Sequence, residues 1–444
     1  MYFPAPKKQE PIMAFSVKRT AGGLVPPSKT TPTGGTLHLS AIDRLPALRC
    51  YARTLHVFRH GPAEVATLIK HALSKALVPY YPLAGRLKES SSLGGVQVAC
   101  TGEGVWFVEA FADCGLDAVN YFDNVYKVPH DDLLPDFVPQ THALAMNPLV
   151  LMQVTQFKCN GFVMGLIFCH SICDGLGAAQ FLNAIGEMAR GLQHPSIAPV
   201  WHREALPSPP PPTGVARDDP NLPSPPPFPS LPDYQLEHAS IDVTLDRINQ
   251  LKLEFSELTG GRRCSTFEVV AATMWRCRTR ALNFKGDTKV DLVFFANVRH
   301  LLHPPLPDGY YGNCFFPVTV TTNCETVSRA SNAEVVKLIQ EAKAQLRVQF
   351  TKWMKGDDAG EGMDPFAPPL AYTTLFISEW GRLGFNQVDY GWGPPVHMVP
   401  IQGSSIIPVA IIGCPPTPRK GVRLMTWSVQ GVHLPQLLDQ MSRR

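Results

Sequence analysis

The residues best suited to chemistry lie together in His170-Ser171-Ile172-Cys173-Asp174-Gly175. An imidazole with an ordinary pKa of about 6.5 can take a proton from a hydroxyl at neutral pH and return it later, which is the work of a general base. Four residues on, the Asp174 carboxylate can lock the loop through a buried ion pair or through backbone donors, and Gly175 after it permits an unusual backbone angle. Other chemistries compete for the same residues. His170 and Asp174 can share a helix face and hold a metal, but no second His/Cys cluster supplies the three or four ligands that zinc needs. Cys169 beside His170 suggests a Cys/His nucleophile, yet neighbours on a strand point to opposite faces, so the pair is badly aimed. A histidine that merely satisfies its loop is the plainest alternative.

The flanking sequence shows what must position this loop. Gly161 to Cys169 is a run rich in β-branched and aromatic side chains that reads as a strand covered on both faces. From Leu176 to Arg190, the residues Leu176, Phe181, Leu182, Ile185 and Met188 recur at helical spacing. His170 therefore sits on a strand-to-helix connection, a common place for chemistry. Further along, Ser265 followed by Glu268 is a capping box ahead of an apolar run, so a helix begins near Ser265. Its free amides, with Arg262 and Arg263 just before and Thr266 in the first turn, suit a phosphate or diphosphate. Ser331 and Glu334 repeat the signature for a helix from Asn332 to about Val348 that serves packing. Gly356 to Pro369 reads as an exposed loop.

Composition bounds the rest. A chain of 444 residues exceeds one ordinary core and predicts two domains, three at most. Net charge is only +3, which argues against a nucleic-acid binder with its concentrated basic face. No apolar run approaches the roughly 20 residues of a membrane span, and Met1 to Phe15 lacks an apolar signal core, so a cytoplasmic protein is expected. The 11 cysteines are odd in number and scattered, which fits reduced thiols better than a disulfide framework. Residues 1–12 read as a loose, disordered extension, with Met13 to Val17 starting the first strand. Prolines cluster over 207–232 as an extended linker, dividing a lobe over 13–206 from one over 233–444. Such a segment can also be a ligand for proline-recognising domains.

A second segment, Asp389-Tyr390-Gly391-Trp392-Gly393, pairs with the first. Together they resemble the signatures of the BAHD acyltransferases of plants, His-x-x-x-Asp mid-chain and Asp-Phe-Gly-Trp-Gly near the end, with Tyr390 here where Phe is usual. The resemblance extends over almost the whole chain, through Leu37 to Asp43, Tyr80 to Leu87, Cys100 to Gly104, Cys264 to Glu268 and Gly309 to Asn313. It implies an α/β fold of two similar chloramphenicol-acetyltransferase-like lobes, each a mixed sheet flanked by helices, with a solvent channel between them. It also implies acyl transfer from an acyl-CoA thioester to an alcohol or amine. His170 would act as base, and no metal or cofactor would be needed beyond CoA as co-substrate.

By the same resemblance, Ser378 and Trp380 stand where a Thr-x-Trp segment stabilises the oxyanion. Asp389 pairs with Arg299 and is structural, while Gly391, Trp392 and Gly393 shape the CoA side. Asp174 turns away from substrate. His38, Ser40 and Ser404 lie near the acceptor. The branch most resembled holds benzyl alcohol benzoyltransferases, taxane acetyltransferases and grass hydroxycinnamoyl-CoA:monolignol transferases. A monomer using hydroxycinnamoyl-CoA and a monolignol-like or other small alcohol is expected first, and benzoyl or acetyl transfer second. A thioesterase, or a CoA-binding relative without activity, would be the alternatives from other classes.

Overall fold

The computed structural model describes residues 15–90, 95–136, 147–206, 234–356, 364–401 and 407–443. The expected extension 1–12, the proline-rich linker 207–232 and Ser404 lie outside the described residues, as do residues 357–363 of the loop 356–369. The first half of the chain forms β1 (Val17–Val25), β2 (Thr36–His38), β3 (Tyr51–Phe58), α1 (Val65–Ala76), β4 (Arg86–Ser90), β5 (Gly95–Ala99), β6 (Val105–Ala112), β7 (Val150–Gln156), β8 (Phe162–Cys169) and α2 (Gly175–Ala189). The second half forms β9 (Glu237–Thr244), α3 (Leu245–Leu258), α4 (Thr266–Leu282), β10 (Lys289–Asn297), β11 (Phe315–Asn323), α5 (Cys324–Arg329), α6 (Asn332–Ala344), α7 (Leu346–Lys355), β12 (Thr374–Glu379), β13 (His397–Ile401), β14 (Val409–Gly413), β15 (Gly421–Val429) and α8 (Leu434–Ser442).

Two six-stranded mixed sheets organise these elements, in the orders β1-β6-β7-β8-β3-β13 and β11-β10-β12-β14-β15-β9, beside a small β2-β5-β4 sheet. Every residue of β8 is buried, because both faces of its sheet are covered. On one face, Ile69 and Leu73 of α1 and Leu182 and Ile185 of α2 pack on Val154, Met164 and Phe168. On the other, Leu55, Val57 and Ile167 meet Ile411, Met425 and Trp427 of the second sheet. The second sheet has its own core, where Val270 and Trp275 of α4 pack against Leu292, Ile377 and Leu424. No helix among the described residues is long and apolar enough to cross a membrane.

The first strand runs from Val17, and Met13 and Ala14 of its expected start lie outside the described residues. Two details depart from the sequence reading. The helix expected from Asn332 to about Val348 is two, divided at Gln345. The division re-aims the buried face: α6 packs Val335, Val336 and Ile339 into the second sheet's core, whereas Phe350 and Trp353 of α7 join a separate cluster with Val298 and Phe316. The lobe expected over 233–444 is also not self-contained. β13 crosses to the first sheet and pairs antiparallel with β3, His397 opposite Val57 and Ile401 opposite Arg53. This satisfies the edge of β3, which would otherwise be left unpaired. Phe385, Val388, Tyr390 and Met398 bury their side chains in the first lobe's core on the way.

Candidate active site

β8 delivers His170 directly from its end. The His170 amide donates to the Cys50 carbonyl at 2.9 Å, extending the β8–β3 ladder by one bond, and Ser171 Oγ donates to the Leu48 carbonyl at 2.9 Å. The carbonyls of this turn are held from elsewhere. Asn313 Nδ2 donates to the His170 carbonyl at 2.8 Å, and Arg203 Nη2 to that of Ile172 at 2.8 Å. The imidazole is partly exposed, and its Nδ1 is buried without a hydrogen-bond partner. Among the described residues no carboxylate bonds to Nδ1.

Asp174 faces away from it. Its side chain caps α2 by accepting from the Gly177 amide at 3.0 Å, and it accepts from the Cys314 amide at 3.2 Å. Arg299 meets it with both terminal nitrogens, Nη1 at 2.8 Å from Oδ2 and Nη2 at 2.9 Å from Oδ1. Arg299 Nη2 also donates to the Gly312 carbonyl at 2.7 Å, so the carboxylate ties the His170 turn to the Gly309–Asn313 segment of the other lobe. That is a bidentate, charge-assisted contact. Gly175 has no unusual backbone angle; it opens α2, and a Cβ there would lie 2.5 Å from Leu383 Cδ1. Gly177 is the stricter case, since its Cβ would fall 1.9 Å from the Tyr311 carbonyl oxygen, a backbone atom that cannot yield. Close approach, not backbone freedom, demands glycine there.

The neighbouring thiols are unsuited to nucleophilic work. Burial pushes Cys169 up to about 11 and Cys314 up to about 12, and it raises Cys173 well above the usual thiol value. A protonated, buried thiol is a poor nucleophile. His170 is then the remaining candidate of this turn for moving a proton.

The second signature lies elsewhere. Asp389 is not the partner of Arg299, which is taken by Asp174. Asp389 Oδ1 accepts from the amides of Gly391 at 2.7 Å and Gly393 at 2.9 Å, and both glycines hold the left-handed angles that favour them, +110° and +93°. The carboxylate therefore folds its own turn. Arg190 donates to the Asp389 carbonyl, and a Cβ on Gly186 would lie 2.5 Å from the same oxygen. Gly186 is eleven residues along α2 from Gly175, about 17 Å at 1.5 Å per residue, so Asp389 sits at the far end of the helix from His170. Tyr390 is buried, its ring 5.3 Å from Phe58 and its hydroxyl 3.0 Å from Met164 Sδ, and Trp392 packs beside Phe162.

These contacts predict different outcomes for two substitutions. Asp389→Asn keeps an oxygen able to accept both amides and is expected to stay close to the parent in melting temperature and turnover. Asp389→Ala removes that acceptor from a partly exposed turn, where water can replace it in part, and is expected to cost about 0.5–1.5 kcal/mol. Thermal melting with turnover at one fixed temperature compares them; a large activity loss in a stable Asp389→Asn protein would contradict the turn-forming role.

The other candidates fall in three places. At the end of β12, Trp380 Nε1 donates to Ser378 Oγ at 3.0 Å, so the indole stands behind the hydroxyl and does not offer its own N–H. At β2, His38 is exposed, with Nδ1 3.1 Å from Gln97 Nε2. Ser40, by contrast, is 2% exposed, and its hydroxyl accepts from the Asp43 amide at 3.1 Å, which makes it part of a turn rather than of a pocket wall. At α4 the capping box is complete: Ser265 Oγ accepts from the Glu268 amide at 3.2 Å, and the Ser265 amide donates to Glu268 Oε2 at 2.8 Å. Ser265 is thereby committed to its helix. Thr266 Oγ1 accepts from Lys252 Nζ at 2.8 Å, Lys343 Nζ lies 2.5 Å from Glu268 Oε1, and exposed Arg262 reaches Gln340 beside exposed Arg263. Lys252 thus joins Arg262 and Arg263 as positive charge at this helix start, while Lys343 is paired with Glu268.

Sequence reasoning also passed over the residues beneath the His170 turn. Asp43, fully buried, lies 2.8 Å from Arg203 Nε, and its Oδ1 accepts from Asn313 Nδ2 at 2.7 Å and the Asn313 amide at 3.0 Å. Asp43 and Asn313 end two of the segments that carried the resemblance. Nothing local in the sequence marks them as partners 270 residues apart.

A family profile described as the Transferase family matches residues 15–426. The chain belongs to the BAHD acyltransferases. It is 46% identical to Acyl transferase 4 of Oryza sativa subsp. japonica, over 97% of this chain and 99% of that one. It is 39% identical to a myricetin 3-O-glucosyl 1,2-rhamnoside 6'-O-caffeoyltransferase, AT2, of Crocosmia x crocosmiiflora, over 97% and 99%, and 34% identical to benzyl alcohol O-benzoyltransferase of Nicotiana tabacum, over 89% and 85%. Vinorine synthase has the same fold, with a TM-score of 0.70 at 20% identity over 95% of this chain and 96% of that one. This BAHD protein is accordingly an acyl-CoA-dependent acyltransferase.

Proposed function

We propose that this BAHD enzyme moves a hydroxycinnamoyl group, such as p-coumaroyl, from CoA to the hydroxyl of a small alcohol of the monolignol kind, with His170 as general base. The observation that carries the mechanism is the isolated imidazole at the end of β8, partly exposed and without a carboxylate partner, among thiols held protonated by burial. With Nδ1 buried, Nε2 is the nitrogen open to substrate. It takes the acceptor hydroxyl proton as that oxygen attacks the thioester carbonyl, and returns it to the sulfur of CoA as the tetrahedral intermediate collapses. Ser378 receives the Trp380 N–H on its oxygen and so has its own O–H to give to the developing oxyanion. The exposed Arg262 and Arg263 and the lysines near α4 suit the phosphates of CoA.

The donor class draws on the caffeoyltransferase relative, which matches over nearly the whole chain and whose name specifies a hydroxycinnamoyl group. Benzoyl or acetyl transfer is the second reading, favoured by the benzoyltransferase relative. Free-thiol release from p-coumaroyl-, feruloyl-, benzoyl- and acetyl-CoA, with and without coniferyl or benzyl alcohol, separates them. Ester formation with p-coumaroyl-CoA and coniferyl alcohol at a rate well above the other pairs is expected. Preference for benzoyl-CoA would transfer the assignment to the second reading, and acceptor-independent release would indicate hydrolysis.

A further inference from the structure

In hydrolases with a Ser-His-Asp triad, a carboxylate sets the direction of the imidazole through Nδ1. Here that nitrogen has no partner, and the carboxylate nearest in sequence is spent on Arg299. The His170 ring lies beside Phe168, with centroids 6.1 Å apart, and its main chain is fixed at two points. One anchor is the amide bond to Cys50. The other is the bond from Asn313, which comes from 143 residues away in the chain and from the other lobe.

We propose that Asn313 is a positioning residue for His170, held in register by the buried Asp43–Arg203 pair; the inference rests on the reading of His170 as the base. Asn313 is fully buried, and its side-chain amide has two hydrogens, one given to the His170 carbonyl and one to Asp43 Oδ1. Both neighbours are acceptors, so the opposite amide orientation would set oxygen against oxygen twice. The buried Asn313 Oδ1 has no partner, an unfavourable feature tolerated where both donors are required. Asp43 is fixed in turn. Its Oδ2 accepts from the Ser40 amide at 3.2 Å and lies 2.8 Å from Arg203 Nε. Arg203 is clasped by the rings of Trp201, Tyr310 and Tyr311 at 4.2, 4.9 and 4.9 Å, and it also grips the Ile172 carbonyl, two residues past His170. One buried ion pair thus controls both carbonyls of the turn, one directly and one through Asn313.

The test is steady-state kinetics and thermal melting of Asn313→Ala and Asn313→Asp, with His170→Ala alongside. Misplacing a catalytic group by about 1 Å can cost roughly 100-fold, so kcat is expected to fall about 10- to 100-fold in both Asn313 variants. KM for the acyl-CoA should stay within about twofold, since the CoA-binding groups are untouched. In Asn313→Asp, one proton shared with Asp43 can restore that contact, as two adjacent carboxyls do, but none remains for the His170 carbonyl. This variant is therefore expected to fold and remain slow, and it decides the matter if Asn313→Ala does not fold. A purely structural role predicts instead that kcat tracks melting temperature and returns in the folded aspartate variant. Parent-like kcat in either folded Asn313 variant, with His170→Ala inactive, would overturn this inference alone. An active His170→Ala would overturn the reading beneath it as well.

Discussion

His170→Ala is expected to fold with a melting temperature near the parent's, to retain acyl-CoA binding and to lose transfer by about 10²- to 10⁴-fold, the usual worth of a positioned general base. The fold should survive because the turn is held by its main chain. The bonds to the Cys50 carbonyl, from Asn313 and from Ser171 to Leu48 do not involve the imidazole, and its buried Nδ1 gives up no hydrogen bond when the ring is removed. What disappears is the imidazole assigned as the base, and no neighbouring thiol can replace it, as Cys169, Cys173 and Cys314 are held protonated by burial. Residual rate would come from binding both substrates in line. Thiol release at saturating donor and acceptor, with donor binding measured separately, checks each part. A variant with undiminished kcat would remove His170 from the chemistry.

Asp43→Ala is expected to have the largest effect on stability, a loss of about 3–5 kcal/mol, as breaking a buried ion pair from one side typically does. Arg203 is 1% exposed and would keep its charge without a carboxylate beside it. The same replacement removes the acceptor of Asn313 Nδ2 and of two backbone amides, those of Ser40 and Asn313. Denaturant unfolding is the direct measure. A change below about 1 kcal/mol would show that the cluster tolerates the loss by admitting water. Arg299 and Asp174 form a comparable pair but are 18% and 12% exposed at the side chain, so removing Asp174 should be the milder of the two.

Much of this protein is set by short-range pattern. The continuous apolar run before His170 became β8, buried on both faces as its composition required. The Ser265 and Ser331 capping boxes start α4 and α6 where the sequence placed them, because each is closed by residues three apart. The signature segments placed the chain in its family, since family resemblance needs only residue order. Pairing between distant segments was decided in the folded state. Local spacing contains nothing that chooses between Asp174 and Asp389 as the partner of Arg299. The choice follows from α2 carrying Asp174 to the lobe interface while Asp389 is drawn into its own glycine turn about 17 Å along the helix. β13 likewise looked like part of the second lobe until the open edge of β3 claimed it. Asn313 became part of the site only when packing brought Asp43, Arg203 and the His170 carbonyl within hydrogen-bond or ion-pair reach of one another. Buried polar groups must find partners wherever the fold supplies them, and that requirement is met in space rather than along the chain.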